Sequence, residues 1–354
     1  MTMPIKRNAL VGEVGERGVL RAIASYLSEG GGRVLVGVGD DAAVTAATPG
    51  TAMQTVLTTD MLVEGTHFLR NDATDWKSLG RKAMASNVSD VAAMSGNPRF
   101  ALVSLGLPAD LTVGCLLELY AGLAHEARLW GAELVGGDTT MSPVMVINIA
   151  LTGELAEGRP VPLRSRCRPG QNVYLTGDVG RSRAGLELLT DPAAASLRGE
   201  PWTETLLERH LCPQPRVKGG SALGAALDDL AMIDISDSVL NELQLLANAS
   251  AVKLVISPGR LPVTLEIRRY CALRGYDVAT FAMSSGEEYE LMFATSAPQE
   301  KVDAILKQAN ADAGATLIGE VQAGPAMLTW LDSEGAEMHV KNETFAHFSG
   351  KNKA

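Results

Sequence analysis

The chain alternates β-like apolar runs with helical ones, and it sets aspartates at or near the ends of the β-like runs again and again. VLVGV leads into GDDAAV with Asp40 and Asp41, and TVLTTDMLV carries Asp60. ELVGG is followed by Asp138, and AMID closes on Asp234 with Asp237 shortly after. Short runs of Val, Ile, Leu and Thr bounded by Gly, Asp and Ser signal strands, whereas apolar residues recurring every three or four positions signal helices. An order of strand, acidic turn and helix confines the chain to the mixed α/β class and gathers carboxylates along strand ends.

Residues 14 to 28 place Leu20, Ile23, Ala24 and Leu27 at helical spacing, and Gly30 to Gly32 stops that helix before VLVGV. Trp76 to Met94 is helical, with Asn87 and Asp90 sharing one face among Met84, Val88 and Val91. FALVSLGLP is a strand, LTVGCLLELYAGLAHEARLWG a helix, ELVGGDTT a short strand opening into a glycine turn, and VMVINIALTG a strand. The Pro-, Gly- and Arg-rich EGRPVPLRSRCRPG reads as a connector, so the boundary is expected between 155 and 156, giving domains 1–155 and 156–354. Beyond it come the strand NVYLTGD, a helix from Arg183 to Leu189, and AMIDISDSVLNELQLLANA. The last is a strand, two aspartates and a helix with Val239, Leu243 and Leu246 at helical spacing.

Composition matters for what it excludes. A net charge of −10 argues against a nucleic-acid backbone or an anionic membrane as partner, since like charges repel. The longest apolar stretch, around VMVINIAL, falls short of the ~20 residues of a membrane span, and the amino-terminal stretch lacks a signal-peptide core, so a cytoplasmic protein is expected. Four scattered cysteines without a CxxC pair suit neither a zinc site nor a disulfide framework.

No GxxxxGK[ST] loop is present, and GVGDDA fits a dinucleotide fingerprint only formally, because a bare acidic pair would repel a pyrophosphate. The carboxylates instead suit Mg²⁺, which takes oxygen ligands and commonly joins one or two carboxylates to substrate phosphates. The candidates are Asp40, Asp41, Asp60, Asp90, Asp138, Asp234 and Asp237. Each alone is more commonly a turn former or helix cap; their repetition carries the metal reading. Gly136 and Gly137 would let a nucleotide or phosphate approach the backbone, and an ordinary tight turn is the plainer alternative. His67 alone suits a satisfied, partly buried imidazole better than a ligand donor.

Eight blocks in order, GVGDDAAV, TTDMLVEGTHF, KAMASNVSDVAAMSGNPRF, LVGGDTT, NVYLTGDVGRSRAGLELL, RHLCPQPR, AMIDISD and SGEEYELMF, with FAHF near the end, resemble thiamine-monophosphate kinases. That family shares a superfamily with aminoimidazole ribonucleotide synthetase and selenophosphate synthetase. The resemblance implies an amino-terminal αβ domain that binds ATP and Mg²⁺ and whose sheet pairs with a second subunit, making a homodimer. It also implies a carboxy-terminal α+β domain closing the cleft. By motif position, Asp41, Thr58, Thr59, Asp60, Asp90, Asp138, Asp234 and Asp237 would be Mg²⁺ ligands or their helpers. Gly137, Arg164 and Ser236 would touch ATP, and His67, Glu287 and Phe345 would hold thiamine monophosphate. The implied reaction is in-line transfer of the γ-phosphoryl group of ATP to thiamine monophosphate, with several Mg²⁺ ions and no protein nucleophile. Another phosphoryl-transfer enzyme of the superfamily is the alternative, or a relative that binds nucleotide without turnover. No cysteine precedes Cys115 and the sequence closes in SGKNKA, which disfavours the cysteine-dependent relatives. Two departures stand out. Ser238 follows Asp237 where the family has glycine, and it is expected to cap a helix; Ser285 opens SGEEYE, and it is expected to reshape the substrate side.

Overall fold

Alternating Val, Leu and Thr residues build a six-stranded sheet from β1 (Val34–Val36), β2 (Ala43–Thr45), β3 (Met53–Val63), β4 (Asn97–Leu107), β5 (Glu133–Met141) and β6 (Val146–Ala156). Its order is β1-β2-β3-β6-β4-β5, antiparallel except for the parallel β4–β5 edge. The computed structural model describes residues 34 to 338 apart from 38, 48 to 51, 72, 73 and 333; the helix expected over 14 to 28 and Phe345 lie outside the described residues.

Side chains alternate between the two faces of a strand. In β3, Val56, Thr58, Asp60 and Leu62 point inward, while Leu57, Thr59 and Met61 point outward. The helix Trp76–Ala93 covers the inner face, packing Met84, Val88 and Val91 against Val56, Ile147 and Ile149, and the helix Val113–Leu129 packs behind it. Asp75 caps the Trp76 helix by accepting from the Ser78 N–H at 3.0 Å.

A second sheet holds seven strands: β7 (Asn172–Thr176), β8 (Ala231–Asp234), β9 (Lys253–Ile256), β10 (Leu291–Thr295), β11 (Ala315–Gln322), β12 (Met327–Leu331) and β13 (Glu337–Met338). The order is β13-β12-β9-β11-β7-β10-β8. β7, β8 and β10 are apolar on both sides because helices cover both faces. The helix Val239–Ser250 packs Leu243 and Leu246 on one face, and the helices Val217–Ala226 and Gln299–Gln308 bring Leu223 and Leu306 to the other.

The Trp76 helix serves both sheets. Its Ala93 packs with Tyr174 and Phe293 of the second sheet, and a Cβ on Gly220 would lie 2.2 Å from the Ala92 carbonyl, so the helix Val217–Ala226 lies directly on it. Among the described residues no helix is long and apolar enough to cross a membrane.

Two expectations change. Asp60 lies inside an eleven-residue strand rather than at its end, because β3 pairs with β6 continuously from Met53 to Val63. ELVGGDTT does not open into a turn: Gly136 and Gly137, at φ +155° and +150°, are absorbed into β5. A Cβ on Gly137 would lie 1.8 Å from the Val103 carbonyl, so this glycine serves close strand pairing.

Candidate active site

A cavity of about 680 Å³ opens between the two sheets, walled by β3, the Trp76 helix, Arg164, the 234–245 segment and the 284–289 loop. The GDDAAV loop, the Trp76 helix and the end of β8 bring Asp41, Asp90 and Asp234 together beside it. One oxygen of each lies within 4.8 Å of the others.

Neighbouring groups hold the acidic segments in place. Thr58 Oγ1 donates to Asp90 Oδ2 at 2.5 Å, and Ser89 Oγ donates to Asp234 Oδ2 at 2.6 Å. The Asp60 N–H donates to Asn87 Oδ1 at 3.0 Å, locking β3 to the Trp76 helix. Asn241 Nδ2 donates to Asp237 Oδ2 at 2.8 Å. Arg164 reaches Asp41 with two nitrogens while its backbone N–H donates to Asp40 Oδ1 at 2.9 Å.

Burial disfavours the charged form of these acids. It drives Asp60, Asp90 and Asp234 above the usual carboxylate range, and Asp60 and Asp234 add to the effect at Asp90, as Asp41 does at Asp234. Burial pushes Asp40 up to about 6. Glu242, buried and then raised further by Asp237, reaches about 8 although it accepts the N–H groups of Asp237 and Ser238. A converging set of buried oxygen donors short of positive charge matches the demand of a hard divalent cation. The residues present therefore fit Mg²⁺.

The opposite wall is zipped to the acidic one. The Glu287 N–H donates to the Ser236 carbonyl at 2.6 Å and the Tyr289 N–H to the Ile235 carbonyl at 2.9 Å. A Cβ on Gly286 would lie 2.1 Å from the Asp237 carbonyl, so only glycine permits this approach. His67 lines the same cavity and its Nδ1 accepts the Val63 N–H at 3.0 Å, which assigns the ring proton to Nε2.

The structure thus joins Asp41, Thr58, Asp60, Asp90, Arg164, Asp234, Ser236, Asp237, His67 and Glu287 around one space. It does not bring Thr59, Gly137 or Asp138 there. Thr59 faces outward and donates to the Ile149 carbonyl at 2.9 Å. Register runs Asp60, Ile149, Val103, Gly137 along one row and Met61, Asn148, Ser104, Asp138 along the next. Asp138 therefore sits on the outer face, about 14 Å across the sheet from β3 at the usual strand spacing. Asn87 shares the face of Asp90 as its spacing predicted. Glu242, Ser89 and Lys82 carry no signal that separates them from ordinary helical residues.

Ser238 caps the helix Val239–Ser250, its Oγ accepting the Asn241 N–H at 3.1 Å, as expected. Ser285 departs from expectation: it is fully buried, and its Oγ donates to Glu288 Oε1 at 2.6 Å and accepts the Arg183 N–H at 3.2 Å, so it faces away from the cavity.

The family model for the AIR synthase related protein, N-terminal domain, matches residues 39–155. The thiamine-monophosphate kinase of Aquifex aeolicus (strain VF5) is 34% identical over 312 residues, 88% of this chain and 93% of that protein. That of Bacillus subtilis (strain 168) is 33% identical over 319 residues, again 88% and 93%. The solved structure of AaThiL complexed with AMPPCP and TMP superimposes with a TM-score of 0.80 at 31% identity, covering 96% of this chain and 99% of that one.

Proposed function

This chain belongs to the thiamine-monophosphate kinase family, and we infer that it transfers the γ-phosphoryl group of ATP to thiamine monophosphate, forming thiamine diphosphate. Its fold is the mixed α/β fold of the aminoimidazole ribonucleotide synthetase group. The observation that carries the reading is the convergence of Asp41, Asp90 and Asp234, from three distant segments, beside the cavity between the two sheets.

Asp41, Asp60, Asp90, Asp234 and Asp237 would hold Mg²⁺, with Thr58 fixing Asp90. Magnesium bound there would supply neutralisation of the two phosphate groups and of the charge that develops between them. The acceptor phosphate is already ionised at neutral pH, so the protein supplies neither nucleophile nor base, and its task is positioning. Arg164 and the Ser236 side chain, both on the cavity wall, would offer the nucleotide a cation and a hydroxyl. Across the cavity, His67 Nε2–H and the Glu287 carboxylate face the acceptor, and Phe345 belongs with them by motif position.

Residues 1–155 form the nucleotide and dimerisation domain in this reading, and 156–354 close the cleft. A homodimer is supported by the outer face of the first sheet, where Leu57, Met61, Phe100 and Leu102 are each about half exposed. Pairing of that face would also give Asp138 and Gly137 a route to a nucleotide site, since Asp138 faces away from the acids of its own chain. An ATP-consuming reaction of this kind fits the cytoplasm, and the net charge of −10 fits small-molecule substrates rather than nucleic acid.

The test is to incubate the protein with ATP, thiamine monophosphate and Mg²⁺ and to quantify thiamine diphosphate and ADP by chromatography. Equal amounts of both are expected; ADP without thiamine diphosphate, or neither, would overturn the reading.

A further inference from the structure

Two residues without a role in the reaction above, Lys82 of KAMASNVSD and His210 of RHLCPQPR, meet at the Glu287 carboxylate. Lys82 Nζ lies 2.6 Å from Glu287 Oε1 and 3.3 Å from His210 Nε2. His210 Nδ1 lies 3.6 Å from Glu287 Oε2 and 3.2 Å from Ser182 Oγ. Lys82 and His210 are buried, while the Glu287 side chain keeps 31% of its surface on the cavity side.

The donor inventory fixes the proton positions. An ammonium donates and never accepts, so His210 Nε2 is the acceptor and the ring is neutral, with its proton on Nδ1 toward Ser182 and the second Glu287 oxygen. Burial and the Lys82 charge agree, pushing the imidazole down to about 3. Each oxygen of Glu287 is thus faced by a donor from a different helix, Trp76–Ala93 or Pro201–Leu211. The carboxylate keeps its remaining lone pairs for the cavity. Its backbone sits at φ +52°, a left-handed conformation that is costly for a non-glycine residue. A buried lysine and a strained loop are poor choices for stability alone; both aim one carboxylate at one point.

We propose that Lys82 and His210 are positioning residues for the acceptor substrate, holding the Glu287 carboxylate in a single orientation where it receives the cationic, amine-bearing heteroaromatic half of thiamine monophosphate. The proposal rests on the reading that Glu287 faces that substrate. Lys82 then sets acceptor affinity from outside the contact, and the nucleotide side, where Arg164 is paired with Asp41, is indifferent to it.

Steady-state kinetics of Lys82→Met, Lys82→Arg, Glu287→Gln and the Lys82→Met/Glu287→Gln double variant test this. Lys82→Met is expected to raise KM for thiamine monophosphate about tenfold and to leave KM for ATP within about twofold, while Lys82→Arg stays within about threefold of the parent on both. The double variant should be no worse than Glu287→Gln, since both changes remove one interaction. Equal changes in both KM values, no change in either, or full additivity would overturn the proposal. Should Lys82→Met fail to fold, His210→Gln carries the same expectation and the same criteria. An unchanged KM for thiamine monophosphate in Glu287→Gln overturns the underlying reading along with the proposal; a raised value there beside a parent-like Lys82→Met overturns the proposal alone.

Discussion

Arg164 clamps Asp41 across 123 residues of chain, with Nη2 2.6 Å from Oδ1 and Nε 3.2 Å from Oδ2. The planar guanidinium matches the carboxylate with two parallel donors, a geometry that lysine cannot supply. Its backbone N–H serves Asp40, so one residue of the connector answers both acids of GDDAAV. The motif resemblance assigns Arg164 to ATP; in the structure it is the counter-ion of the acidic wall.

Arg164→Ala should therefore act on both stability and nucleotide affinity. Asp41 is wholly buried on its side chain, and removing its partner should lower the unfolding free energy by about 3 kcal/mol. Urea titration checks this, and KM for ATP should rise in parallel. A variant that melts like the parent would show that the clamp adds nothing.

Asp90→Asn should separate stability from activity. The substitution keeps the acceptor for Thr58 but removes one charge from the Asp41, Asp90 and Asp234 convergence, so the ligand-free protein should melt at a higher temperature. Turnover should fall by about a hundredfold or more, since the missing charge is needed where phosphate charge must be neutralised. A lower melting temperature in the absence of ligands would contradict the repulsion argument.

Without ligands the protein should lose stability as pH rises from about 6.5 to 8. Glu242 has its folded value raised from 4.5 to about 8, so in this window the native state binds more protons than the unfolded state and the unfolding free energy falls with pH. The raised Asp60, Asp90 and Asp234 work in the same direction. His210, lowered to about 3, works in the opposite direction, but only below its unfolded value of 6.5. Thermal melts across this window test the sign. Mg²⁺ with a non-hydrolysable ATP analogue should stabilise more at pH 8 than at 6.5, because ligand carboxylates must be deprotonated. A melting temperature that climbs with pH over the window would refute the assignment.

Ser285→Gly should behave as a structural change. It removes the hydroxyl between Glu288 and the Arg183 N–H, at a cost of about 1 to 3 kcal/mol for the lost buried bonds. Both Michaelis constants should stay near the parent's. A selective shift in the constant for thiamine monophosphate would restore the expectation that this serine shapes the substrate side.

Leu102→Glu should report on the proposed dimer. Leu102 is half exposed in the middle of the outer face, so a charge there costs little in a single chain and much in a paired sheet. Light scattering should show a two-chain mass for the parent and a one-chain mass for the variant. Identical masses would remove this face as the interface.

What was legible in the sequence was local. Short β-branched and apolar runs located β3, β4, β6 and β7, helical spacing located Trp76–Ala93 and Val239–Ser250, and a serine after two aspartates announced the cap at Ser238. These features follow from backbone geometry over a few residues, so a single chain segment states them. The acidic residues were legible as a set because carboxylates recur beside apolar runs, and that pattern needs no tertiary information. Which of them converge was decided elsewhere. Asp60 and Asp138 look alike in sequence, yet pairing of β4 with β5 and β6 sets Asp138 one row over and therefore on the other face. Register is a property of strands far apart in the chain, and a shift of one residue exchanges the faces. The same holds for Lys82, His210 and Glu287: three unremarkable charged or polar residues become one network only when packing places two helices against the 284–289 loop, with the low-dielectric interior making their mutual orientation matter.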